Sequence, residues 1–322
     1  MLGQLPYKSK QFFIAIIKLS IIVGASYYIY NRLLKNENLN FSEFASFLTK
    51  MDAFSTKNII FLLFLTISNW FFEILKWKIL VSIIKKISLF EALEQSLGGL
   101  TASLITPNRI GDYGAKAIYY PKPYRKRIVL LNLIGNVSQM TVTTIIGIVG
   151  MVAFYSTYDL ELNFRKVSRF LIIVVVVASF AAFGLQQSRF KIKGFSIERI
   201  IDFVKNIPRR IHALNFGLSL IRYSIFSFQF YFLLQIFGVD IDYKTAMVAI
   251  SSMYFLASIV PSLAVFDVLI KTSAAVYLFS FLGIDDLTIL SVSTLMWLLN
   301  FILPSLFGSY FVLNFKLPKA TD

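Results

Sequence analysis

Asp112 and Lys116, and again Asp267 and Lys271, stand four residues apart in the chain. At that spacing two side chains share one helical face and can form an ion pair. Asp267 and Lys271 have apolar residues on both sides. A charge at bilayer depth costs roughly 2.5–3.5 kcal/mol on insertion scales. Two uses fit such a pair: it neutralises itself near the outer interface, or it lines a polar cavity. For Asp112 and Lys116, with Arg109 nearby, a cytoplasmic loop is the simpler reading. Asn132, Asn136, Gln139 and Thr143 follow at spacings of four, three and four, which places them on one helical face. In a membrane helix such a stripe turns to the bundle or to water, and its plainest role is hydrogen bonding between helices. Asn69 and Glu73, with Lys76 in reach, make a shorter stripe. Arg222 is expected to snorkel toward the inner interface. Asn300 and Pro304 predict a kink with Asn300 facing inward.

Other chemistries are excluded or disfavoured. The chain has no cysteine and a single histidine, His212. Disulfides, thiolate nucleophiles and Cys-ligated zinc are ruled out, and a His-based metal site or triad has too few members. No Gly-rich phosphate loop is present, which argues against an ATP-driven pump. Neither a cofactor nor an enzymatic activity is expected. The formal net charge is +15. In an apolar chain this points to anionic lipid headgroups and a fixed topology, not to nucleic acid.

The elements that must position these residues are membrane helices. The 322 residues are 57% hydrophobic and 15% charged, with a mean hydropathy of +0.70; soluble domains carry about 25% charged residues. Apolar runs fall at 12–33, 59–80, 90–105, 128–153, 169–186, 217–238, 244–260, 264–283 and 289–313. The first reads as an uncleaved span, and 34–58 as a short helix on the membrane surface. Lys and Arg concentrate in 76–127 and 187–216, whereas 238–243 and 284–288 carry Asp240, Asp242, Asp285 and Asp286 and no basic residue. The positive-inside rule places the two basic segments and both termini in the cytoplasm. The parity requires 90–120 to enter from the cytoplasm and return to it. The stretch 244–283 can be two full spans or a hairpin entering from outside.

Two segments repeat a pattern. One reads Ala102-Ser103-Leu104-Ile105-Thr106-Pro107, then Asp112 and Lys116; the other reads Ala257-Ser258-Ile259-Val260-Pro261, then Asp267 and Lys271. Proline removes a backbone donor and disfavours helix at the residue before it. Pro107, Gly111 and Pro261 are therefore the expected structural breaks. Backbone broken at membrane depth is tolerated only inside protein or beside water. The expected fold is an all-α, polytopic membrane helix bundle, a single domain over 1–322. It has about eight helices including two re-entrant hairpins. An inverted-topology repeat relates about 59–153 to about 217–313, with 12–33 and 169–186 outside it. Transporters built this way hold their site near the midplane, where broken helices meet.

The stretch Ile105-Thr106-Pro107-Asn108-Arg109-Ile110-Gly111-Asp112-Tyr113-Gly114 resembles the transmembrane domain of lysylphosphatidylglycerol synthases and the stand-alone flippase-like proteins related to it. Their pattern there is Thr-Pro-Gly-Arg-hydrophobic-Gly-Glu. Thr106, Pro107, Arg109 and Gly111 match; Asn108 replaces Gly and Asp112 replaces Glu. The family's second motif, Pro-x-Pro-Gly-Gly-x-Gly with a Glu soon after, is only partly kept. Pro261 is present, but Leu263, Ala264, Val265 and Asp267 stand where Pro and the glycines would be. The resemblance covers the layout from about 12 to 313. It implies a flippase-like protein moving or binding an anionic or polyprenyl-linked lipid across a bacterial inner membrane. Arg109, Asp112, Lys116, Asp267, Lys271, Asn132, Asn136 and Gln139 would form the binding site. The alternative is a non-transporting accessory in envelope lipid or polysaccharide assembly. A membrane lipid is the expected partner, and a second copy of the chain or an envelope enzyme are the candidate protein partners. The chain ends at Asp322 just after its last span, so the synthases' aminoacylation of lipid is not expected.

Overall fold

The structure, a computed structural model, describes residues 55–104, 106, 110–158, 197–259 and 264–315. The expected spans 12–33 and 169–186, most of the 34–58 segment, and Pro107, Arg109 and Pro261 lie outside the described residues, as does the side chain of Asp267. All regular structure among the described residues is helical. Helix α1 spans Thr56–Val81, α2 Leu89–Ser103, α3 Ile110–Ile118, α4 Lys122–Thr157, α5 Ile197–Lys205, α6 Arg209–Ile236, α7 Tyr243–Ile259 and α8 Ala264–Ser280. Helix α9 covers Asp286–Asn314, interrupted by a π-helical turn at Leu298–Ile302. Four of these, α1, α4, α6 and α9, are long and apolar enough to cross a membrane.

Local chemistry sets many of the ends. The Ser55 hydroxyl accepts the Asn58 amide at the start of α1. Ser88 and Glu91 form a reciprocal capping box on α2. At the head of α7 the Asp242 carboxylate accepts the Thr245 amide at 3.0 Å. Hydrogen bonds from the Thr245 side chain and backbone hold that carboxyl below its ordinary range. Asp285 caps α9 in the same way through the Thr288 amide, 3.1 Å.

Side-chain contacts fix the sense of each helix. Arg222 on α6 meets Asn69 and Glu73 on α1, while Gln229, further along α6, meets Thr66 and Leu62. As α6 advances α1 retreats, so the two are antiparallel. By contrast α4 and α6 advance together: Asn215 bonds to Ile134, Ser219 to Ser138, and Arg222 to Gln139. The C-terminal end of α1 and the N-terminal end of α4 therefore lie at the same end of the bundle, and the pair α2–α3 leaves from that end and returns to it. Helix α2 opposes the second half of α9, where Thr101 bonds the Ser305 carbonyl and Phe90 stacks edge-on against Phe311. Helix α7 likewise opposes α4. So α7–α8 leaves from and returns to the opposite end. Lys85, Lys86, Arg125, Lys126, Arg127, Arg209 and Arg210 mark the first end. Asp240, Asp242, Asp285 and Asp286 mark the other, together with Lys57 and Lys244.

The packed pairs map onto themselves when α1–α4 are exchanged for α6–α9. Helix α1 packs on α6. The α2–α9 contact becomes α7–α4, α2–α3 becomes α7–α8, and α3–α4 becomes α8–α9. Glycines permit the two exchange-related crossings: Gly308 lies against the Leu97 backbone of α2, and Gly147 and Gly150 lie against Phe255 and Ser251 of α7.

The apolar core is split. One cluster, with Trp77, Leu80, Ile87, Ile128 and Leu131, lies at the basic end. The other, with Leu62, Phe154, Phe230, Leu234, Ile250 and Phe279, lies at the acidic end. Helices α1 and α4 give one end to each cluster. Their middles, and that of α6, carry Thr66, Asn69, Glu73, Asn136, Gln139, Ser219 and Arg222. A polar layer thus separates two greasy ones.

Candidate functional site

The polar layer surrounds a cavity of about 540 Å³. Asn69, Glu73 and Lys76 line it from α1, Ser96 and Ser103 from α2, and Asp112, Tyr113 and Lys116 from α3. Helix α4 adds Asn136, Gln139 and Thr143, α6 adds Arg222, α8 adds Lys271 and Thr272, and α9 adds Ser293 and Asn300. Among the described lining residues four side chains are cationic and two are carboxylates.

Three linked clusters build the walls. In the first, Lys116 Nζ reaches Asp112 at 3.1 Å and donates to Asn132 Oδ1 at 2.9 Å. Asn132 Nδ2 donates back to Asp112 Oδ2 at 2.7 Å. The ammonium also lies 4.7 Å from the Trp77 ring centroid, a cation–π distance. This corrects the loop reading. Asp112 and Lys116 stand on a helix, and Lys116 is 3% exposed. The reason is local. The Thr106 hydroxyl accepts the Gly111 amide at 2.8 Å and starts α3. A Cβ at Gly111 would meet the Ala102 carbonyl, so only glycine lets α3 come this close to α2.

The second cluster centres on Glu73, which pairs with Lys76 at 2.7 Å and with Arg222. Arg222 Nε donates to the Asn69 backbone carbonyl and to its side-chain oxygen, both at 3.2 Å, and Nη1 donates to Gln139 Oε1 at 3.3 Å. Arg222 does not snorkel. It sits at the middle of the 28-residue α6, about 20 Å from either end at about 1.5 Å per residue. A carboxylate on the antiparallel α1 meets it there.

The third cluster is neutral. Asn69 Nδ2 donates to Asn300 Oδ1 at 2.9 Å, Asn300 Nδ2 to Gln229 Oε1 at 2.7 Å, and Gln229 Nε2 to Thr66 Oγ1 at 2.9 Å. Pro304 cannot donate to the carbonyl four residues back, which is that of Asn300. The Trp70 indole takes that carbonyl instead at 3.1 Å. The expected break at Asn300 and Pro304 is therefore a π turn with Asn300 inward. Asn300→Leu is expected to leave the Asn69 amide and the Gln229 carbonyl without their buried partners. The cost is about 1–3 kcal/mol for each unsatisfied group, to be read as a lowered unfolding midpoint of the solubilised protein.

Asp112, Lys116, Asn136, Gln139 and Lys271 share the one cavity. Asn136 donates to the Tyr113 hydroxyl at 2.8 Å. Asn132 does not line the cavity; it braces Lys116 from behind. Glu73, Lys76 and Arg222 are charged lining residues absent from the site expected on sequence. Their signal was available: each is an ionisable group inside an apolar span, which marks a functional position by default.

A family model described as the lysylphosphatidylglycerol synthase TM region matches residues 15–308. No similar protein of curated function and no similar solved structure was found.

Proposed function

Since the chain belongs to the family of the lysylphosphatidylglycerol synthase TM region, and is thereby a multi-pass membrane protein of lipid-related function, we propose that it binds the headgroup of an anionic or polyprenyl-linked lipid in the polar cavity and moves it between leaflets. One observation carries this reading. The two hairpins, α2–α3 and α7–α8, leave from opposite ends of the bundle, yet both put cations into the same cavity: Lys116 from one and Lys271 from the other. A cavity of about 540 Å³ falls in the size range of small-ligand sites, about 300–1,000 Å³.

In this reading the basic end faces the cytoplasm of a bacterial inner membrane, as do both termini. Helix α2 has 15 residues, about 22 Å at about 1.5 Å per residue, against a hydrocarbon core of about 30 Å. It is therefore half of a re-entrant hairpin. Helices α7 and α8, with 17 residues each, form its counterpart from outside. The helix senses and the exchange pattern of the packing support an inverted-topology repeat of α1–α4 and α6–α9. Arg125, Lys126 and Arg127 gather anionic lipid at the cytoplasmic surface. The reading assigns lipid movement, not catalysis.

Purified protein in vesicles carrying a fluorescent anionic lipid should raise the rate at which that lipid becomes accessible to an external quencher. Lys271→Ala and Arg109→Ala should each cut the rate several-fold. Wild-type rates in both variants would remove these residues from the site. A stable complex with an envelope enzyme, and no lipid movement, would make the chain an accessory protein instead.

A further inference from the structure

The Glu73 cluster has an uneven charge count. One carboxylate faces two cations, Lys76 at 2.7 Å and Arg222. Lys76 is 2% exposed and Arg222 18% in its side chain. An ammonium has three donors and a guanidinium five. Among the described residues Lys76 is paired with Glu73 alone, and Arg222 Nη2 makes no hydrogen bond. Both residues line the cavity, together with the neutral amides of Asn69, Gln139 and Asn300. By contrast Asp112 and Lys116 balance one another, with Asn132 bonded to both.

We propose that Arg222 and Lys76 form an oxyanion site at the centre of the bundle, and that Glu73 sets the charge of the anion this site accepts. With Glu73 in place the cluster carries one net positive charge, which a singly charged phosphodiester cancels. A doubly charged phosphomonoester would exceed the charge of this cluster by one, and unbalanced charge is disfavoured inside an apolar bundle. The guanidinium supplies parallel donors to two phosphate oxygens. As it turns to the ligand it gives up part of its contact with Glu73, which Lys76 retains. The site is thus specific for charge as well as for phosphate. This deepens the lipid reading by naming the headgroup class, but the site can bind whether or not lipid crosses the membrane.

Equilibrium binding to purified, detergent-solubilised protein at pH 8 tests it, with four probes: dioctanoyl phosphatidylglycerol, dioctanoyl phosphatidic acid, dioctanoyl phosphatidylcholine and inorganic phosphate. Wild-type protein should prefer phosphatidylglycerol, and Arg222→Gln should weaken that binding at least about tenfold. Glu73→Gln raises the cluster to two positive charges and should shift the preference toward phosphatidic acid by about tenfold. Lys76→Gln lowers it to zero and should weaken both anions, giving a second reading if Glu73→Gln fails to fold. Inorganic phosphate, mainly a dianion at this pH, should compete poorly with phosphatidylglycerol; competition as strong as the lipid's would overturn the charge rule. Phosphatidylglycerol bound equally by wild type and Arg222→Gln, a lipid preference unmoved in Glu73→Gln, or both anions bound as tightly by Lys76→Gln as by wild type, would overturn the proposal. The vesicle rates bear on movement alone, so the two readings can fail separately.

Discussion

Asp112→Ala is expected to lower the unfolding midpoint of the solubilised protein more than any other single truncation in the α2–α3 hairpin. The Lys116 ammonium, 3% exposed, has Asp112 and Asn132 as its hydrogen-bonding partners. Removing one member of a buried ion pair strands the other, at a cost of about 3–5 kcal/mol. Asn132 Nδ2 loses its acceptor in the same step. The double variant Asp112→Leu/Lys116→Met should recover most of the loss, because a buried pair replaced by apolar groups of similar size is often neutral in stability. Thermal unfolding followed by intrinsic fluorescence distinguishes the cases. A single variant that melts with wild type would mean the pair is solvated. Since Lys116 lines the cavity, the double variant should regain its fold without regaining the proposed lipid movement.

Gly308→Leu should be the most damaging change at a helix crossing. A Cβ at this position would meet the Leu97 carbonyl and the Thr101 hydroxyl. Overpacking a tight site typically costs about 1–3 kcal/mol and occasionally more. Here the obstacle is backbone, which cannot turn aside as a side chain can. The Thr101 bond to the Ser305 carbonyl, 2.9 Å, would go with it. Gly217→Ala on α6 is the control. It has open space around it and should be neutral or stabilising by about 0.5–1 kcal/mol through helix propensity alone. Size-exclusion profiles and melting midpoints of the two variants should differ sharply. Equal behaviour would show that α2 and α9 do not approach as closely as Gly308 implies.

Much of this architecture could be read from hydropathy. The apolar run 59–80 became α1, 244–260 became α7 and 289–313 became α9. Helix α4 begins at Lys122, well before the run at 128, because Lys and Arg favour helix while hydropathy sees only the part in lipid. Helix α3 was legible only as a loop. Gly111, Asp112, Gly114 and Lys116 make its composition polar, and the Thr106 cap and the approach to α2 supply what propensity does not. The polar stripe on α4 was visible in its spacing. Its division of labour was not: Asn132 braces Lys116, Asn136 holds Tyr113 and Gln139 serves Arg222. The same limit hid the central ion pair. Glu73 and Arg222 are 149 residues apart in sequence, and no local pattern announces that antiparallel helices will bring them level.

The π turn at Leu298–Ile302 adds one residue to a helical repeat in α9. In an α-helix each residue rotates by about 100°, so the two halves of α9 are phased differently about a common axis. The first half turns Ile289, Val292 and Met296 into the acidic-end core. The second turns Ser305 and Gly308 onto α2. An uninterrupted helix could satisfy either neighbour but would aim the other contact into lipid. Deleting a single residue within the turn would therefore act as a phase error and not as a shortening: the length would hardly change, while one hairpin would lose the surface it rests on.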